Sequence, residues 1–276
     1  MNRVNFSKWQ GLGNDFILCR AEDVQSANDI GAVARRWCDR HFGIGADGLI
    51  LLGPGDGGET QLTMTIYNAD GSEAAMCGNG IRCLAAWAVK EGWIQSDSFA
   101  VGMRSGVKHV TVKQEAEDSW QVEADMGEPQ ILSPAQPITV GKKKASEYIV
   151  SMGNLHRVVL GGTPGDLGAD WLNKLAVGAE GRRLEQSACG ECNVEFAVLL
   201  SAQDIKMRVC ERGVGETMAC GTGACAVLTA ASLEGWCPRR ATIHLPGGEL
   251  AVRWPEDNHV YMRGPALAVF AGNINL

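Results

Sequence analysis

No run in the 276 residues approaches the ~20 consecutive apolar positions that a membrane helix needs. Met1 to Lys8 lacks the apolar core of a secretory signal. Basic residues cluster no further than Lys142-Lys143-Lys144, and the formal net charge is −7. Such a surface is a poor match for nucleic acid or for an anionic membrane. Together these absences predict a cytoplasmic protein with neither class as partner. The ten cysteines are too sparse for a disulfide scaffold in a chain this long. They are therefore expected to be thiols, most of them packed as small hydrophobes.

What is present is enough apolar material for a core, 45% hydrophobic against 21% charged, and an excess of glycine, 35 residues. Short Val/Ile/Leu/Thr-rich runs bounded by Gly, Pro or Asp predict strands at 49–52, 62–67, 107–112, 147–152, 194–200 and 250–254. Amphipathic or Ala-rich patterns predict helices at 28–42, 81–91 and 224–234, the last two stopped by Gly92 and Gly235. The order of elements is that of an α+β fold, without regular βαβ alternation.

The segments before the last two helices repeat. Aligned on Cys77 and Cys220, each has a Glu four residues earlier (Glu73, Glu216), then Cys-Gly-x-Gly, then an Ala-rich helix closed by Gly. Downstream, Met126-Gly127-Glu128-Pro129 answers to Met262-Arg263-Gly264-Pro265. The economical reading is two pseudo-symmetric halves that meet at a shared cleft.

A cysteine that opens a helix sits over unpaired backbone N–H groups and the positive end of the helix dipole. That setting favours a thiolate, or a substrate carboxylate cradled by the amides. Two such thiols on opposite faces of one carbon could invert it: one takes the α-proton, the other returns a proton from behind. Helix N-termini aimed at the carboxylate would stabilise the added charge. This scheme demands no metal and no organic cofactor. Cys83 and Cys225 fall inside the helices, and Cys19, Cys38, Cys210 and Cys237 lack comparable surroundings; these six read as core.

Other signals are weaker. Cys189-Gly-Glu-Cys192 could be half a zinc site or a redox dithiol, and so carries an alternative reading as a thiol-redox or metal-binding protein. Gly43 to Gly48 matches G-x-G-x-x-G, but a helix precedes it and a strand follows, the reverse of the dinucleotide fingerprint, so it reads as a turn. His156 alone reads as structural.

Taken together, Gly11 to Phe16, Asn68 to Glu73, Cys77 to Cys83, Gly153 to His156, Glu211 to Thr217 and Cys220 to Cys225 resemble the diaminopimelate epimerase family. These are cofactor-independent, two-cysteine amino-acid epimerases, and the likeness runs along essentially the whole chain. It implies two similar α+β domains, each a mostly antiparallel sheet around a central helix, with the last strand returning to the first domain. The boundaries expected are 1–120 plus 266–276, and 121–265. It implies Cys77 and Cys220 as the acid–base pair, and a reacting carboxylate on the N–H groups of Gly78, Asn79, Gly221 and Thr222. Asn14, Asn68, Asn154, Asn193, Glu211 and Arg212 would hold the distal end of the substrate, and His156 and Glu211 would tune the thiols.

The activity so implied is epimerisation of LL-2,6-diaminopimelate to the meso form, without PLP. A racemase of another amino acid, such as histidine, is the alternative on the same scaffold. Leu155 stands for a common Pro, Gly48 for a Gln of some members, Thr222 for Ser, and Phe270 for a Tyr at the dimer contact of some members. A homodimer is thus an expectation resting on resemblance alone.

Overall fold

The computed structural model describes residues 3–141, 143–161, 169–188 and 192–276. It divides into two compact units, Met1–Ala124 with Gly264–Leu276, and Asp125–Arg263. The first unit contains β1 (Arg3–Gly11), β2 (Asn14–Arg20), α1 (Ala21–Val24), α2 (Ile30–Cys38), β3 (Gly48–Pro54) and β4 (Leu62–Asn68). After these come β5 (Glu73–Ala74), α3 (Gly78–Lys90), β6 (Ser98–Met103), β7 (Gly106–Ala116) and β8 (Ser119–Asp125). The second contains β9 (Gln130–Val140), β10 (Lys143–Ser151), β11 (Leu155–Leu160), α4 (Ala169–Lys174), α5 (Val177–Ala188) and β12 (Asn193–Ser201). It continues with β13 (Asp204–Glu211), β14 (Gly215–Thr217), α6 (Gly221–Leu233), β15 (Arg240–Leu245) and β16 (Gly248–Arg253). The last strand, β17 (Tyr261–Asn275), begins in the second unit and ends in the first.

The repeat extends to the pairing of the strands. In the first unit β1–β2 is antiparallel, β2–β3 parallel, β3–β4 antiparallel, β4–β6 parallel, and β6–β7 and β7–β8 antiparallel. In the second, β10–β11, β11–β12, β12–β13, β13–β15, β15–β16 and β16–β17 give the same series. In the first unit β8 lies beside β17, whose second half pairs with β1, so the sheet closes on itself.

Each sheet surrounds one helix. From Gly221 through Ala231 α6 is buried, and no charged residue occurs in its sequence, the mark of a helix packed on all sides. Its counterpart α3 is buried from Gly78 through Ala88. Both run thirteen residues and end alike. Gly92 and Gly235 each adopt φ +72°, and Trp93 and Trp236 donate back into the final turn, to Ala88 and Ala231. The outer face of each sheet carries the remaining helices: α2 packs on β3 and β4, and α5 on β12 and β13. Being covered on both sides, β3 and β12 are nearly continuous apolar runs, whereas β8 alternates buried and half-buried positions. Among the described residues no helix is long and apolar enough to cross a membrane.

Helix α2 is shorter than the periodicity suggests. Asp29 caps it through the Ala32 N–H, but Asp39 leaves helical geometry at ψ 125°. The chain then folds back, with the Ile44 and Gly45 N–H groups on the Trp37 carbonyl. Gly45 takes φ +81° there, so residues 43–48 form a turn between helix and strand.

Candidate active site

Cys77 is the N-cap of α3, with extended backbone (φ −146°, ψ 112°), and its Sγ accepts the Gly80 N–H at 3.3 Å. Gly78 and Asn79 are thus the first two helical residues. Asn79 is buried and tied into a polar chain that crosses the first unit. Arg40 Nη2 donates to Asp47 Oδ1 (2.8 Å), Asn14 Nδ2 to Asp47 Oδ2 (2.6 Å), Asn79 Nδ2 to Asn14 Oδ1 (3.2 Å) and Arg82 Nη2 to Asn79 Oδ1 (3.0 Å). Arg82, fully buried one turn into α3, also donates to the carbonyls of Gly78 and Pro265. Asn68 stands apart from this chain; its amide engages Ser72 Oγ at 3.0 Å in the turn that leads to β5. At Gly48 an added Cβ would lie 2.8 Å from the Tyr67 carbonyl oxygen, so the strand leaves no room for a side chain without a shift.

Cys220 occupies the same place on α6 (φ −129°, ψ 112°), buried. A second polar chain leads away from it: Cys220 Sγ to Thr222 Oγ1 (3.6 Å), Asn154 Nδ2 to Thr222 Oγ1 (3.3 Å), Asn154 Oδ1 to His156 Nε2 (3.1 Å), and His156 Nδ1 to Glu195 Oε1 (2.7 Å). The strands dictate this grouping: β11 and β12 run parallel with His156 opposite Asn193. Asn193 in turn accepts the Arg212 N–H at 2.9 Å and so fixes the turn after β13. Glu211, at the end of β13, accepts from the Thr217 hydroxyl of β14; Arg212 beside it is exposed.

Burial pushes the Cys220 thiol well above its ordinary range, and the carboxylates of Glu211 and Glu195 push it further, against the Thr222 hydroxyl and the Gly223 N–H. Cys77 Sγ, for its part, accepts the capping N–H of Gly80. Burial drives Cys19, Cys38 and Cys83 up to about 12, as befits inert core thiols. Cys192 is disulfide-bonded, which corrects the expectation that every cysteine is a thiol; Cys189 lies outside the described residues.

The residue that sequence reasoning missed is Glu195. It follows Asn193 by two in a strand whose other residues read as plain core, and only the partner His156, 39 positions away, reveals it. His156, Glu195 and Cys220 bring potential metal-ligand atoms within 4.8 Å of one another. Both imidazole nitrogens face protein oxygens, however, so the group reads as a hydrogen-bond network.

A sequence-family model described as Diaminopimelate epimerase matches residues 6–132 and 148–269. The chain belongs to the diaminopimelate epimerase family. It is 41% identical to the diaminopimelate epimerase of Pelotomaculum thermopropionicum, over 98% of both chains, and 43% identical to that of Microcystis aeruginosa, again over 98% of both. A chloroplastic diaminopimelate epimerase of Oryza sativa subsp. japonica is 39% identical over 98% of this chain and 80% of its own. Membership of this family makes the chain an isomerase.

Solved structures show the same fold at far lower identity. A PhzF-family phenazine biosynthesis protein of Bacillus anthracis superposes with TM-score 0.73 at 12% identity, covering all of both chains. A probable proline racemase of Agrobacterium radiobacter K84 gives 0.72 at 13%, over 99% of this chain and 93% of its own.

Proposed function

We propose that this diaminopimelate epimerase family member interconverts LL- and meso-2,6-diaminopimelate with Cys77 and Cys220 as its two proton-transfer groups. The observation that carries the reading is the duplication of one device. In each unit an extended cysteine opens a buried thirteen-residue helix and is followed by Gly-x-Gly, so its sulfur lies beside the N–H groups of the first helical turn. In this reading the thiolate of one cysteine removes the α-proton and the thiol of the other delivers one to the opposite face. Each turnover thereby leaves the two sulfurs with exchanged protonation states.

The α-carboxylate is received by the helix N-termini at Gly78 and Asn79, and at Gly221 and Thr222. There the main-chain dipoles offset the charge that builds up as the C–H bond breaks. The distal amino-carboxylate end falls to Arg212, whose planar fork suits a carboxylate, to Glu211 for the ammonium, and to Asn14, Asn68, Asn154 and Asn193. No cofactor enters the scheme. Its setting is the cytoplasm and its partner a free amino acid, in a step toward lysine; Phe270 is the place to test for a homodimer.

Incubation with LL-diaminopimelate in heavy water, with histidine in parallel, tests the reading. The expected result is α-deuterium in diaminopimelate alone, concentrated early in the inverted product, with Cys77→Ala and Cys220→Ala both inactive. Deuteration of histidine at a comparable rate, or full activity in either variant, overturns it.

A further inference from the structure

Glu195 is fully buried on β12, and one of its carboxylate oxygens, Oε2, has no hydrogen-bond partner among the described residues. An unsatisfied buried carboxylate oxygen is costly, and such a group persists in a fold when something else uses it. Two further observations place the carboxylate beside His156 and the start of α6. The other oxygen holds His156 Nδ1 at 2.7 Å, and a Glu195 oxygen lies within 4.8 Å of Cys220 Sγ. On the helix side, a Cβ added at Gly223 would meet Glu195 Oε1 at 2.6 Å and both Cδ and Cγ at 3.1 Å. The second glycine of the Cys-Gly-x-Gly motif therefore admits the carboxylate against the first turn of α6. The matching glycine of the other unit does something different, since the atoms nearest a Cβ at Gly80 are methyl tips of Ile50 and Met64 and the Cβ of Cys77.

We infer that Glu195 is a positioning residue for the Cys220 half-reaction: its carboxylate, held against α6 by Gly223, orients His156 and sets how tightly Cys220 keeps its proton. The inference rests on the two-thiol reading above. Three titratable groups face the sulfur: Glu195 from β12, Glu211 from β13 and His156 from β11. A thiolate at Cys220 forms beside two carboxylates, so the proton stays on sulfur until substrate takes it, and a thiolate left by that transfer is a strong base for the return step. Oxygen Oε1 does the orienting. With acceptors at both ring nitrogens, Glu195 and Asn154 fix the imidazole plane, and Asn154 passes that order to Thr222 beside the sulfur.

The test uses the full chain and two variants. Glu195→Gln keeps the shape and a carbonyl for His156 but removes the charge; Glu195→Asp keeps the charge and draws it back by one methylene. Two profiles are read against pH: kcat/KM for diaminopimelate, and the iodoacetamide alkylation rates of Cys77 and Cys220, resolved by peptide mass spectrometry. In Glu195→Gln the Cys220 alkylation midpoint and the alkaline limb of kcat/KM are expected to fall by about 1–3 pH units, the range for a near like charge. The Cys77 midpoint stays in place, and Glu195→Asp recovers part of the shift. A Cys220 midpoint that does not move in a folded Glu195→Gln protein overturns the inference, as does an equal shift at Cys77. Failure of the epimerase reading looks different: the wild-type protein then turns over no diaminopimelate, while alkylation still reports on Glu195.

Discussion

Asn14 and Asp47 are bound side chain to side chain, amide nitrogen to carboxylate at 2.6 Å, although 33 residues separate them. The same carboxylate accepts the Asp15 N–H at 3.0 Å and Arg40 at 2.8 Å. Asn14 is thus held with its carbonyl turned to Asn79, and the proposed distal contact is only as well placed as Asp47 makes it. Asp47→Ala is expected to raise KM for diaminopimelate by about tenfold, the equivalent of one charge-assisted hydrogen bond, with a smaller change in kcat. Steady-state kinetics with a circular-dichroism check on the fold decide the matter; an unchanged KM removes Asp47 from the site.

The neighbouring Asp15 gives a pH dependence whose sign can be worked out. Burial alone would raise its pKa, but hydrogen bonds from Arg40 and from Lys8 outweigh that and bring it down to about 2. The unfolded value is about 3.9. Since the folded value is the lower one, the stabilisation is complete above pH ~4 and is lost as pH falls from there toward 2. Discounted for partial exposure, it amounts to about 1–2 kcal/mol. Arg40→Ala removes one of the two cations on Asp15 and leaves Lys8, so it should be less stable than wild type by up to about 1 kcal/mol at pH 7. In urea titrations the gap should narrow steadily below pH 4, and a gap of equal size at pH 2.5 would contradict the assignment.

The legible part of this molecule was local and duplicated. Cys77 and Cys220, each followed by Gly-x-Gly and an Ala-rich helix, announce themselves because a cap, a helix and its glycine stop are all encoded within about fifteen residues. Helix ends followed the glycine rule at Gly92 and Gly235. What stayed hidden depends on pairing between distant strands. Nothing near Glu195 marks it, because its partners come from β11 and α6. Helix α5 was overlooked because its apolar face, with Val177 and Leu184, is diluted by Gly178, Gly181 and a polar end. Gly181 has a tertiary reason that the local sequence does not show: a Cβ there would lie 2.2 Å from Cys210 Cβ.

Arg82 illustrates a charge whose value is structural. With no exposed surface, it spans the Gly78 carbonyl (3.1 Å), the Asn79 side chain (3.0 Å) and the Pro265 carbonyl (3.2 Å), so it joins the start of α3 to the returning strand β17. Arg82→Met fills most of the volume but leaves those acceptors unsatisfied, at a cost of about 3 kcal/mol or more. Arg82→Lys should recover little, because one ammonium cannot reach three acceptors that a guanidinium spans. Thermal and urea unfolding of both variants measure this; a lysine variant as stable as wild type would show that charge alone suffices.

Gly80 and Gly223 hold matching positions in the two motifs, and their replacement by alanine should nonetheless give different results. Alanine gains about 1 kcal/mol of helix propensity over glycine at either site. At Gly80 the new methyl meets Ile50 Cδ1 at 2.9 Å, Met64 Cε at 3.0 Å and Cys77 Cβ at 3.3 Å. The two closest are terminal methyls that can rotate aside, so the net change in stability should be under about 1 kcal/mol. At Gly223 the methyl meets the carboxylate of Glu195, which is pinned by His156 and walled in. Overpacking of that kind costs about 1–3 kcal/mol. It also pushes the carboxylate from its place, so Gly223→Ala should lose more epimerase activity than Gly80→Ala, with its deficit confined to the Cys220 side of the reaction. Alkylation profiles of the two cysteines in the two variants separate the effects, and a Cys220 profile in Gly223→Ala identical to wild type would mean that the glycine serves the backbone rather than Glu195.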